Sequence, residues 1–329
     1  MPCNHPLHAF RTGSYTVNGK EDFVIGRNCD QVYPAWKARK NGHGVTSAAD
    51  LVQLQGEPYL ANPVPIPCGH CSGCRMEHAK EWKVRCCLEA SKYSPEHVYF
   101  LTLTYGDWSL PRTKDGRPTL NKKDFQDFMK RLRKYSGRPC RYFACGEYGE
   151  HLVRPHFHAI IFGDVFDPVP DPDGHLRSQV LDDAWRFGLT DLQLAVPGAI
   201  AYVAGYVEKK QMDPNWDSYP VKPFVLMSRK PAIGTFAVAD QESAILKTRK
   251  VYGDFGSPHS AKLPRTFLRK LEERFPGLVR EWKQVNKVRA SRFQDIKDHW
   301  FGAIEIDQQG FRLDAIDRQR LEKVRIKKL

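Results

Sequence analysis

Apolar positions fall into short strand-like runs in the middle of the chain and into helical stripes around them. Val98-Tyr-Phe-Leu-Thr-Leu-Thr-Tyr105 is dense in β-branched and aromatic side chains and predicts a strand. Further strands are predicted at Arg141–Glu147 and Pro155–Phe162. Ala79, Trp82 and Cys86 share one helical stripe, which predicts a helix from about Arg75 to Tyr93. Asn121 can cap a second helix, running to about Tyr135, whose Phe125, Phe128 and Leu132 form a core face. A third helix is expected from about Ala199 to Gln211, after Pro197-Gly198.

Between these elements, Gly106–Thr119 and Asp164–Gly174 read as loops. Trp185–Leu194 reads as a passage from short helix to strand. Ser14 to Gly26 reads as a hairpin turning at Asn18-Gly19, and Asn62–Pro67 as extended chain. After Asp213 the chain is Pro-rich and reads as irregular until about Thr235, and two or three basic helices follow, among them Arg265–Phe275 and Leu278–Phe293. The order strand–helix–strand–strand–helix predicts an α+β fold with a central, mostly antiparallel sheet and flanking helices. Three regions are expected: 1–97, an irregular segment with a cysteine cluster and a helix; 98–240, the sheet core; and 241–329, basic and largely helical.

Charge narrows the function. Of 329 residues, 51 are basic and 38 acidic, a formal charge of +13 that favours polyanions, nucleic acid first and an anionic membrane surface second. No apolar run approaches the roughly 20 residues that span a bilayer, and the start MPCNHPLHAF has no signal-peptide pattern. A cytoplasmic protein that engages no membrane is expected. Nine cysteines, an odd number, argue for reduced thiols over a disulfide framework.

The candidate chemistry sits in Arg154-Pro-His-Phe-His158 and in Tyr202-Val-Ala-Gly-Tyr206. Side chains alternate faces in a strand, so His156 and His158 project together. With Glu147, which ends the preceding strand, they form a donor set suited to Mg²⁺ or Mn²⁺ with positions left for substrate. The same spacing serves two hydrogen-bonded sheet histidines. The apolar run Ala159–Phe162 behind them favours the metal reading.

Tyr202 and Tyr206 lie one helical turn apart and offer two hydroxyl nucleophiles, although such pairs are more often packing. Lys209 and Lys210 follow and can supply the positive charge that a phenol of ordinary pKa about 10 needs to react. Gly205 costs about 1 kcal/mol in a helix interior and would let another chain approach closely.

Cys68-x-x-Cys71-x-x-Cys74 supplies three thiolates, with Cys3 an available fourth for structural Zn²⁺. His5, His70 and Cys86 or Cys87 are rival ligands, and three reduced cysteines without metal are the plain alternative. An iron–sulfur run lacks its fourth ligand at short distance. Lys130, Arg131, Arg133 and Lys134 are candidate phosphate contacts, and Tyr105 and Trp108 can stack unpaired bases. Packing is an equal alternative for both aromatics.

Phe100-Leu-Thr-Leu-Thr-Tyr105, then Gly146-Glu-Tyr-Gly149 through Arg154-Pro-His-Phe-His158, then Tyr202-Val-Ala-Gly-Tyr206 resemble, in order, the three motifs of HUH endonucleases. The spacing is most similar to rolling-circle replication initiators of microviruses, especially the gokushovirus branch. Phe128–Lys134, Ser228-Arg-Lys-Pro-Ala-Ile-Gly234 and Cys68–Arg75 add to the likeness, which covers roughly residues 68 to 235. Gly205 is a departure, because related initiators often carry lysine between the tyrosines, which leaves Lys209 and then Lys210 as the candidates for that role.

The resemblance implies an RRM-like core and a site-specific single-stranded DNA endonuclease and ligase. Tyr202 or Tyr206 would form a 5′-phosphotyrosine bond at the origin, and a host polymerase would extend the freed 3′-OH. It also implies DNA contacts by Thr102, Thr104, Tyr105 and Arg154, a host helicase as partner, and work in the cytoplasm of a bacterial host. The competing readings are a single-tyrosine transposase or relaxase-like nickase, and a non-catalytic zinc-knuckle DNA-binding protein.

Overall fold

A computed structural model describes residues 3, 5, 7–15, 21–26, 64–69, 71–149, 153–210, 218–254 and 258–286. The chain divides into two compact units, one of residues 1–77 with 276–329 and one of residues 78–275. In the first, β1 (Leu7–Tyr15) pairs antiparallel with β2 (Glu21–Gly26) and with β3 (Val64–Ile66). The predicted hairpin is therefore present, and its Asn18-Gly19 turn lies outside the described residues. Helix α1 (Ser72–Ala90) starts three residues ahead of the expected Arg75.

The second unit holds a seven-stranded sheet in which every neighbouring pair is antiparallel. Its strands are β4 (Val98–Tyr105), β5 (Arg141–Tyr148), β6 (Pro155–Phe162), β7 (Val169–Pro170), β8 (Leu176–Arg177), β9 (Gly188–Leu194) and β10 (Phe224–Met227). They lie in the order β10-β5-β6-β4-β9-β8-β7, which places β6 and its histidines between β5 and β4. The α+β expectation holds.

Helix α2 (Lys122–Ser136) begins where Asn121 accepts a hydrogen bond from the Lys123 N–H at 3.0 Å. Its Phe125, Phe128, Met129 and Leu132 are buried against Leu101, Leu103, Phe157, Ala159 and Ile161. Helix α3 (Gln179–Ala184) adds Leu181 and Ala184 to the same core, and Trp185 follows its end instead of opening it. Helix α4 (Pro197–Lys210) covers the region expected from Ala199.

Two regions differ from the sequence expectation. The Pro-rich stretch contains β10, a four-residue edge strand that pairs with β5 from Phe224↔Gly146 to Met227↔Phe143. Pro223 directly precedes it, a place where proline removes no ladder hydrogen bond, so the prolines conceal a real strand. The C-terminal third contains short helices α5 (Ala237–Asp240) and α6 (Glu242–Thr248), then a hairpin of β11 (Lys250–Asp254) and β12 (Pro258–Lys262). Charged residues at the strand ends give that hairpin no strand-like composition. Helix α7 (Arg265–Arg274) follows, and 276–286 is helical, whereas the expected continuation to Phe293 lies outside the described residues. Among the described residues no helix is long and apolar enough to cross a membrane.

Candidate active site

The register of the sheet assembles the site. Thr102 and Cys145 flank His158 on the two neighbouring strands, and Thr104 and Glu147 flank His156. Alternation sends Leu101, Leu103, Phe157 and Ala159 toward α2, so Thr102, Thr104, His156, His158 and Glu147 share the opposite face.

On that face His156 Nε2 lies 2.7 Å and His158 Nε2 3.1 Å from the same Glu147 oxygen, Oε1. The other ring nitrogens are tied to the protein: His156 Nδ1 lies 3.0 Å from the Arg154 carbonyl, and His158 Nδ1 lies 3.1 Å from Thr102 Oγ1. Outer hydrogen bonds of this kind fix ring orientation and leave the second nitrogen for a ligand. The three donor atoms lie within 4.8 Å of one another, and this set fits a divalent ion. The Glu147 side chain is sealed at 1% exposure while His156 is 16% open, so the set reaches solvent on the His156 side. Burial by itself raises the Glu147 carboxyl, but hydrogen bonds from His156 and His158 outweigh it and hold the group below its ordinary value.

Tyr202 is carried to this face by α4. Its ring centroid lies 5.6 Å from that of His158 and 6.3 Å from that of Phe100, edge-on to both. Phe100 in turn stacks on His158 at 5.5 Å with the planes 14° apart. Phe100 and the ring-aiming contact of Thr102 escaped the sequence reading. The alternation of β4 carries the signal, since even-numbered residues there face the histidines.

Tyr206, Lys209 and Lys210 continue α4, and their side chains lie outside the described residues. A Cβ on Gly205 would meet no atom within 4 Å among the described residues.

The other candidates are spread more widely. Tyr105 is a core residue: it packs on Phe157, Trp185 and Phe187, and its hydroxyl donates to Asp124 at 2.9 Å. Burial and the neighbouring Asp124 carboxylate push that hydroxyl far above the ordinary phenol value. At 1% exposure Tyr105 has no face for a base, which corrects the stacking role expected of it. Trp108, three residues past the end of β4, is 77% exposed.

Arg154 binds Asp107 at 2.7 Å and donates to the Tyr105 carbonyl, stitching the start of β6 to the end of β4. Lys130, Arg131, Arg133 and Lys134 lie on α2, across the sheet from the histidines. Arg131 donates to the Ala184 carbonyl at 2.8 Å, Arg133 to that of Cys140 at 3.1 Å, and Lys130 pairs with Asp127 at 3.0 Å. In the first unit the sulfurs of Cys3, Cys68, Cys71 and Cys74 converge within 4.8 Å.

The family described as replication-associated protein ORF2/G2P matches this chain over residues 98–211, which span the sheet motifs and α4. Replication-associated protein ORF2 of Spiroplasma virus 4 is 30% identical over 270 residues, covering 77% of this chain and 80% of the relative. Replication-associated protein ORF4 of Chlamydia phage 1 is 34% identical over 160 residues, 44% of this chain and 38% of the relative. Replication-associated protein VP4 of Bdellovibrio phage phiMH2K is 32% identical over 186 residues, 51% and 56% respectively. The chain belongs to this family of microvirus replication-associated proteins. No solved structure matches it significantly.

Proposed function

We propose that this replication protein is a site-specific single-stranded DNA endonuclease and ligase that starts rolling-circle replication of a small circular phage genome. The observation that carries the proposal is the Glu147–His156–His158 donor set with the Tyr202 ring against it on one sheet face. Glu147, His156 and His158 would hold Mg²⁺ or Mn²⁺, and such an ion, when bound, polarises the scissile phosphate and orients it.

The Tyr202 hydroxyl oxygen attacks phosphorus. The bond to the 3′ oxygen breaks, the phenolic proton passes to solvent, and the leaving 3′ oxygen takes up a proton to become a 3′-OH. The product is a 5′-phosphotyrosine diester. Its phosphoryl energy is retained, so a later attack by a 3′-OH reseals the strand without ATP. Tyr206, one turn along the same helix, is the second nucleophile that cleaves the regenerated origin. Lys209, with Lys210 as the second candidate, supplies positive charge to the phosphate in the transition state.

Thr104 and Arg154 border the site and position the strand, while Thr102 aims His158. Lys130 and Lys134 hold DNA on the far side of the sheet. A host polymerase then extends the freed 3′-OH inside the bacterial cell while a host helicase separates the strands.

The direct test incubates the full chain with single-stranded oligonucleotides tiling the genome that encodes it. One oligonucleotide is expected to be cut in the presence of Mn²⁺, leaving a fragment that a polymerase can extend. Excess EDTA is expected to abolish the cut. Tight binding to every oligonucleotide with no cleavage would favour the DNA-binding reading instead.

A further inference from the structure

The chemistry proposed above leaves the cysteine cluster of the first unit unused. We propose that Cys3, Cys68, Cys71 and Cys74 form a closed, purely structural zinc site with four thiolate ligands. The proposal stands independently of the nicking reaction.

The distances are those of metal ligands. Cys3 Sγ and Cys71 Sγ are 3.8 Å apart, and all four sulfurs lie within 4.8 Å of one another. Sulfurs placed about 2.3 Å from a central ion in a regular tetrahedron are separated by about 3.8 Å. A disulfide would bring two of them to about 2.05 Å, and none of the four cysteines is disulfide-bonded.

Backbone amides are aimed at the sulfurs as well. The Cys68 N–H donates to Cys3 Sγ at 3.3 Å, the Cys71 N–H to Cys68 Sγ at 3.3 Å, and the Cys74 N–H to Cys71 Sγ at 3.5 Å. Each such bond spreads negative charge from a thiolate and orients it. Gly69, at φ +79°, turns the chain between the first two ligands in a conformation that costs glycine little.

The fold delivers the fourth ligand. β1 and β3 pair antiparallel through Leu7↔Ile66, so the residues just before Leu7 and just after Ile66 leave the ladder at the same end. Cys3 lies four residues before Leu7 and Cys68 two after Ile66, both on that side of the ladder. Cys71 then precedes α1 and Cys74 lies in its first turn, where amides without helical partners favour an anionic sulfur. Among the rivals, Cys86 is more than three turns along α1 from Cys74 and His5 is not among the converging donors. His70 lies outside the described residues.

Three of the four cysteines are 9% exposed or less, and no position is left open for a substrate in an all-thiolate set, so the site is structural. Its work is to join residue 3 to the Cys68–Cys74 loop across a separation of 65 residues. Such a closure constrains the unfolded chain as a cross-link does.

The full chain, expressed with its own N-terminus and purified without chelator, is expected to carry about one zinc per molecule. A mercurial thiol reagent should release it stoichiometrically to a chromogenic chelator. X-ray absorption at the zinc edge should show four sulfur neighbours at about 2.3 Å. Exchange with Co²⁺ should give the strong thiolate charge-transfer bands of a tetrahedral four-sulfur site. Cys3→Ser is expected to weaken Co²⁺ binding at least tenfold and to weaken those bands. The wild-type absorption data decide the matter even if that variant misfolds. Substoichiometric zinc with all four thiols freely titratable, iron in its place, or a shell containing nitrogen or oxygen would each overturn the assignment.

Discussion

The histidine rings owe their aim to the nitrogens that face away from Glu147. Thr102 Oγ1 at 3.1 Å is the partner of His158 Nδ1, so Thr102→Val removes an orienting contact while preserving shape. Mn²⁺ affinity measured by calorimetry is expected to fall about 10–100-fold, with thermal stability little changed. Unchanged affinity would mean that the other contacts of the ring, its packing on Phe100 and Tyr202 among them, are enough to hold it. Trp108 poses the opposite case, because an indole left 77% exposed has little packing to lose. If it stacks an unpaired base, Trp108→Ala weakens single-stranded DNA binding by about 1–3 kcal/mol and shifts stability by less than about 0.5 kcal/mol. Fluorescence anisotropy and urea titration separate the two effects. At this scale the sequence displayed the donor set, since period-two alternation puts His156 and His158 together and the short turn brings Glu147 opposite. The fate of Tyr105 was hidden. Its aromatic character suits both a base and a core, and only the packing of α2 and Trp185 decides between them.

Strands and helices were legible wherever their composition matched their environment. β4 and β6 have the predicted ends because both lie in the sheet interior, where apolar runs are dense. β10 and the β11–β12 hairpin were not, because an edge strand after proline and a charged ribbon need little apolar sequence. The junction of β4 and β9 carries a constraint of its own. A Cβ on Gly188 would stand 2.2 Å from the Gly106 nitrogen and 2.4 Å from the Thr104 carbonyl oxygen, both backbone atoms. Gly188→Ala must therefore push β9 off the end of β4, at a cost of about 2–3 kcal/mol in denaturant unfolding. A loss under about 0.5 kcal/mol would show that the two strands part there without penalty. Asn121→Ala, which removes the cap of α2, is expected to cost about 1 kcal/mol.

Across the whole sheet unit, the basic end of α2 and the histidine face lie on opposite sides. The charge of +13 favours polyanions, and composition cannot say on which side of a sheet a charge falls. Arg131 and Arg133 are each anchored by a bond to a backbone carbonyl, which leaves Lys130 and Lys134 better placed for phosphate. Changing both lysines to alanine is expected to lower affinity for long single strands and reduce the salt slope by about 1–2, with cleavage of a minimal oligonucleotide unchanged. Loss of minimal-substrate cleavage would contradict that division of labour. The central claim is that a tyrosine of α4 takes the phosphate from DNA beside Glu147, His156 and His158. The most direct measurement digests the protein after reaction with its origin oligonucleotide and Mn²⁺, and maps the covalently modified peptide by mass spectrometry. A nucleotide 5′-phosphate on Tyr202 or Tyr206, absent when both are phenylalanine, is the predicted result. Modification elsewhere, or cleaved DNA bearing a free 5′-phosphate with no protein adduct, would contradict it.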